Sequence, residues 1–173
     1  MPNVNASVVN NAAVRNLQVV ETIILLAASI LVQFLIHLIP TSGTPVGAFL
    51  LAMFFAPLIA VIFFKPHTAF VVAILSPIIN YLVSGSPIAE ILPLMTIKLV
   101  LFVSCLYLFF NIKSIKKFSA LIAILISITV SPFIVSLFSS YSENVVNTLT
   151  NAITGILLLT LANYFLVRYQ EKN

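Results

Sequence analysis

Long apolar runs separated by short polar turns set the pattern of this chain. Six runs stand out, over residues 18–38, 46–64, 68–83, 92–110, 118–138 and 146–167. A bilayer core of about 30 Å takes about 20 apolar residues of helix, so the pattern predicts six membrane-spanning helices. The third run is short, and is expected to cross with little tilt or to start inside the loop before it. Short connections make neighbouring helices antiparallel. Residues 1–17, Asn-rich and weakly polar, read as a tail that is partly disordered or forms a short surface helix. They lack the basic stretch and short apolar core of a cleavable signal.

Composition agrees with this pattern. Of 173 residues, 61% are hydrophobic and 7% charged, against about 25% charged in soluble domains. One membrane domain over 1–173 is expected. The net charge of +4 does not point to nucleic acid, because the basic residues are scattered at segment ends. Arg15, Lys65, Lys113, Lys116, Lys117, Arg168 and Lys172 all fall on one side of the predicted layout. The opposite connections, 40–45, 84–91 and 139–145, carry Glu90 and Glu143 and no Lys or Arg. Basic loops stay inside, so both termini are expected in the cytoplasm, in a multi-pass protein of the inner (plasma) membrane.

Enzyme chemistry is not expected. There is no Walker lysine loop, no HExxH and no Gly-x-Ser-x-Gly. The single Cys105 allows no intrachain disulfide and no cysteine-based zinc cluster, and reads as a small buried hydrophobe. No cofactor and no metal are implied.

Polar residues inside the spans are the candidate chemistry. Lys98 lies in "ILPLMTIKLVLF", about 9 Å below the outer end of the fourth span at 1.5 Å per residue. A charge there costs a few kcal/mol (about 2.5–3.5 on insertion scales). Two readings stand. The side chain snorkels to the outer headgroups, or it faces the bundle interior and meets an anionic ligand. On the second reading, Lys98→Ala should weaken binding far more than folding. Glu21 lies deep near the inner side and is expected to pair with Arg168. His37, Asn80, Tyr81, Asn147 and Asn151 also fall in the outer half, where amides usually hydrogen-bond neighbouring helices. Two outward-running helices carry Ser-Pro, in "LSPIINYLVSGS" and "VSPFIVSLFSSYS". Proline frees a carbonyl that must find an internal partner, either as a packing kink or to splay both helices around an external cavity.

One region is similar to a known family in its motifs. The segment "NYLVSGSPIAEILPLMTIKLVLF" (residues 80–102) resembles the third-loop and fourth-helix region of substrate-binding S components of energy-coupling factor (ECF) vitamin transporters. The matching features are Gly85-Ser-Pro87, Leu92-Pro93-Leu94-Met95 and Lys98. The segment "GTPVGAFLLAMFFAPLIAVIFFKP" (residues 43–66) is also similar to the family. The resemblance implies an S-component-like bundle of six helices that binds a vitamin or precursor in an outward pocket. It also implies partners: a transmembrane coupling subunit and two cytosolic ATPases, in addition to the membrane lipid. The substrate-binding set is then Lys98, Asn80, Tyr81, His37, Ser84, Met95, Asn147 and Asn151. Two features depart from the family. Lys98 stands where relatives often have an acidic residue, and the first span clusters Ala27, Ala28 and Ser29 instead of spacing small residues four apart. The alternatives are a non-transporting membrane scaffold with the helical plan of MreD-like cell-shape proteins, and a small channel or proton-coupled carrier. The scarcity of intramembrane acids argues against the carrier.

Overall fold

The computed structural model describes residues 4–37, 50–85, 87–138 and 143–172, with side chains from residue 16 onward and His37 excepted. The described chain is helix and tight turn, without a strand among the described residues. Among the described residues six α-helices follow in order: α1 Val4–His37, α2 Phe55–Phe63, α3 Pro66–Ser84, α4 Leu92–Phe110, α5 Ser119–Ser136 and α6 Val145–Gln170. Short 3-10 turns, Ala52–Phe54 and Lys116–Phe118, lead into α2 and α5.

Five of these helices contain stretches long and apolar enough to cross a membrane: Asn16–Ile36, Pro66–Ser84, Leu92–Phe110, Lys116–Ser136 and Val145–Gln170. Exposure confirms which solvent they suit. Phe133 is 72% exposed and Leu161 53%, while Asn80 and Lys98 are 1% and 3% exposed. In water this distribution would be inverted; in lipid an apolar exterior costs nothing and polar groups turn inward. The chain is an all-α, multi-pass membrane protein.

Three sequence expectations change in detail. The tail expected over 1–17 is helical from Val4 onward, so α1 has 34 residues; no Pro or Gly after Pro2 interrupts it. The third crossing is not short. It runs 19 residues because Pro66 opens it at the first turn, where a missing N–H is harmless. The second crossing was expected over 46–64. The apolar helix described there, Ala52–Phe63, is shorter than a full span, and residues 46–49 lie outside the described ones.

Packing is a chain of neighbours curled around α2. Helix α1 lies on α3, α3 on α4, α4 on α5 and α5 on α6, while α2 touches α1, α3, α4 and α6. Leu58 and Ala60 of α2 are accordingly fully buried. Chain entry into α2 is forced at Leu51, which adopts the left-handed conformation (φ 51°) while 8% exposed. Burial of its side chain offsets a backbone cost that a leucine does not normally accept. Helix α5 fits between its neighbours through size. Ser119, Ala123, Ser127 and Ser131 recur every four residues and are all fully buried, which lets backbones approach closely.

Helices α1 and α3 run side by side in the same direction and in one register. Ser29 Oγ meets Ser76 Oγ at 2.8 Å, and one turn further Asn80 Nδ2 donates to Gln33 Oε1 at 2.5 Å. Both pairs are 47 residues apart. At the opposite end, Gln18 and Lys65 keep the same offset and line a common cleft.

The basic ends of the helices gather at one end of the bundle. Asn163, fully buried on α6, donates to the carbonyls of Lys116 and Lys117 at 3.2 and 2.8 Å. Gln170 Nε2 donates to the Ile62 carbonyl at 2.9 Å, and Lys116 Nζ donates to Gln170 Oε1 at 3.0 Å. Lys117 pairs with Glu171 at 3.3 Å. Helix α6 thus closes the ends of α2 and the α4–α5 turn, satisfying carbonyls that helix ends leave free.

Candidate functional site

Lys98 has a protein partner. Its Nζ donates to both carboxylate oxygens of Glu143, each at 2.9 Å, with the two side chains 3% and 13% exposed. Neither snorkelling nor an external anion is needed to satisfy this charge. Glu143 stands just before the first turn of α6. Asn144 caps that helix by accepting from the Asn147 backbone N–H at 3.2 Å. One turn in, Thr148 Oγ1 donates to Glu143 Oε1 at 2.9 Å. The carboxylate therefore receives three hydrogen-bond contacts and lies at the positive end of the α6 dipole.

On α4, Lys98 occupies the buried stripe. Leu94 and Phe102, one turn to either side, are 1% and 0% exposed, and Phe102 packs edge-on against Phe54 at 5.1 Å between centroids. An ion pair in such surroundings loses water on all sides, and only good geometry repays that loss. Here the ammonium lies 2.9 Å from both oxygens and Thr148 donates to one of them, so the carboxylate is charge-paired and hydrogen-bonded together.

A second polar group belongs to the α1–α3 register. Asn80 holds Gln33, and Ser84 Oγ donates to the Asn80 carbonyl at 2.7 Å. Gln33 is 5% exposed and its Nε2 has no hydrogen-bond partner. Ser131 Oγ, directly before Pro132 on α5, is likewise buried without one.

The residues singled out from sequence thus fall into separate settings. Asn80 and Ser84 belong to the α1–α3 group. Lys98 belongs to the ion pair, with Met95 half-buried one turn away on α4. Tyr81 is half-buried on α3. Asn147 and Asn151 are exposed on α6, and it is Thr148 between them that turns toward Glu143. The side chain of His37 lies outside the described ones. Sequence reasoning missed Glu143, Thr148 and Gln33. Glu143 carried a usable signal: an acid in a connection without Lys or Arg, beside an asparagine that starts a helix.

The expected Glu21–Arg168 pair does not form. Among the described residues the ion pairs are Lys98–Glu143 and Lys117–Glu171. Glu21 instead lines a cleft of about 310 Å³ with Leu17, Gln18, Phe63, Phe64 and Lys65. Arg168 and Glu21 sit near the same end, but α6 meets α2 there and does not pack on α1 enough to bring them together. Among the described residues no three His, Cys, Asp or Glu gather to hold a metal. Comparison with protein families, with curated proteins and with solved structures finds no match.

Proposed function

We propose that the chain is the membrane substrate-binding subunit of an ECF-type transporter, taking up a small polar vitamin or precursor. The observation that carries this reading is the Lys98–Glu143 pair, a desolvated charge pair in an otherwise apolar bundle. Ionisable groups inside a membrane are costly, and their usual place is on a substrate path. The Nε2 of Gln33, without a hydrogen-bond partner, adds a second buried donor in the same half of the predicted layout. The motif resemblance over residues 80–102 supports the family. On this reading 46–64 completes a sixth crossing and both termini are cytoplasmic. The chain does no chemistry of its own, and ATP hydrolysis belongs to partner subunits.

The test is purification in mild detergent, followed by mass spectrometry of what co-purifies and a binding screen over vitamins. A bound small molecule and co-isolation with a coupling subunit and ATPases are expected. A folded protein that binds nothing would overturn the reading. One observation favours the scaffold of MreD-like plan instead: Lys98 is already satisfied within the chain. That reading predicts crosslinks to cell-wall machinery in place of ATPases.

A further inference from the structure

We infer that Glu143 occupies, as an internal stand-in, a receptor for the carboxylate of an external ligand, and that binding proceeds by exchange of one carboxylate for the other. This rests on the solute-binding reading above and narrows its substrate to a monocarboxylate.

The receptor can be read from what already fills it. One ammonium, Lys98 Nζ, stands 2.9 Å from both oxygens of the same carboxylate. The Thr148 hydroxyl donates to one of those oxygens at 2.9 Å. Lys98 and Thr148 come from two different helices, α4 and α6, so the donors are held by the bundle and not by the residue they bind. A planar two-oxygen anion fits them; a neutral hydroxyl or amide leaves the ammonium uncompensated, a cost that favours the anion at a 3%-exposed site.

Glu143 itself is suited to leave. It is the less buried partner, at 13% against 3%, and it precedes the cap of α6 instead of lying within the helix. Its departure breaks no helical hydrogen bond. Thr148 keeps a second acceptor, the Asn144 carbonyl at 3.1 Å, so it too survives the exchange. Lys98 on α4 has no such freedom, and it stays paired throughout: with Glu143 when the site is empty of ligand, with the incoming carboxylate when it is filled. An internal competitor scales the apparent affinity down to the fraction of time that it leaves the site open. Removing its charge should therefore raise an affinity that the unmodified chain already shows; carboxylate binding by the variant alone would be rescue of a structural ion pair and would overturn the exchange.

The experiment is isothermal titration of the purified full-length protein with benzoate and hexanoate, with benzyl alcohol and inorganic phosphate as controls. The variants are Glu143→Gln, Glu143→Asp and Lys98→Met, each checked for folding by size exclusion. Glu143→Gln keeps shape and an acceptor for Thr148; it should bind carboxylates about tenfold tighter than the unmodified chain or better. Glu143→Asp, which keeps the charge but shortens the reach, should fall between them and serves if the glutamine variant does not fold. Lys98→Met should abolish binding, and benzyl alcohol should not bind. Equal affinity in the unmodified chain and the Glu143 variants, or binding that survives Lys98→Met, overturns the exchange. So does a chain that binds a co-purified neutral solute but no carboxylate in any variant, and that result leaves the solute-binding reading standing. A folded chain that binds neither carboxylates nor any co-purified molecule overturns both.

Discussion

At the scale of single residues, the pairing of Lys98 reverses one expectation drawn from sequence. With a ligand as its only partner, Lys98→Ala would spare folding. With Glu143 as its partner, Lys98→Ala leaves a carboxylate 13% exposed without its counter-charge, and breaking such a pair costs about 3–5 kcal/mol. We expect Lys98→Ala and Glu143→Ala each to lower the thermal midpoint in detergent strongly. The double variant Lys98→Met/Glu143→Leu should recover most of that loss, because no charge is left unpaired. Equal destabilisation in the single and double variants would show that packing, not charge, sets the cost. Gly85 offers a second test. It ends α3 at φ 70°, with its N–H on the Tyr81 carbonyl at 2.8 Å. A Cβ there would meet nothing within 4 Å. Gly85→Ala should therefore cost only the left-handed backbone penalty, about 1–2 kcal/mol, and Gly85→Asn less, as read from unfolding midpoints.

At the scale of elements, lipid changes what a buried face looks like. Helix α5 shows no division into apolar and polar sides. Its exposed face carries Leu125, Val130 and Phe133, and its buried face carries Ile124 and Ile128 beside a column of small residues, Ala120, Ala123, Ser127 and Ser131. The small-residue column, not a change of polarity, marks where neighbouring backbones approach, as expected where the surroundings are as apolar as the core. Ala123→Leu or Ser127→Leu should force α5 away from its neighbours at about 1–3 kcal/mol each, whereas Leu125→Ala on the lipid face should change the midpoint little. The same physics explains what could be read from the sequence. Hydropathy located α4 over 92–110 at its observed ends, and it found α5 and α6 to within a few residues, because length and apolarity suffice for a span. It could not say which face of a span is buried, since an apolar face is common to both. The small-residue column of α5 was legible in principle through its spacing of four. The Ser29–Ser76 and Gln33–Asn80 contacts were not, because their register depends on how α1 and α3 lie against each other. For Lys98, sequence identified the anomaly and its depth, but its partner stands 45 residues away, beyond the whole of α5; the acid was visible in its connection, and its pairing with Lys98 depends on how α4 and α6 are placed.

At the scale of the whole molecule, the charge pattern and the fold agree on which ends belong together, and this agreement makes the orientation testable. The clasp of Asn163 and Gln170 joins the end of α2, the α4–α5 turn and the end of α6. The residues joined there include Lys116 and Lys117, two of the charges that the positive-inside rule assigns to the cytoplasm. The ion pair Lys98–Glu143 belongs to the opposite ends: six residues into α4 from its start, and just before the start of α6. If the clasp is cytoplasmic, the pair lies where solute arrives from outside. A single-cysteine scan separates the two orientations. In a Cys105→Ser background, Glu90→Cys and Asn111→Cys place a thiol at exposed positions in turns at opposite ends of α4. A membrane-impermeant maleimide added to intact cells should label position 90 and leave position 111 unlabelled until the membrane is permeabilised. Labelling in the reverse order would put Lys98 and Glu143 on the cytoplasmic side. Uptake of an external carboxylate through their exchange would then have no entry, however well the isolated protein bound it.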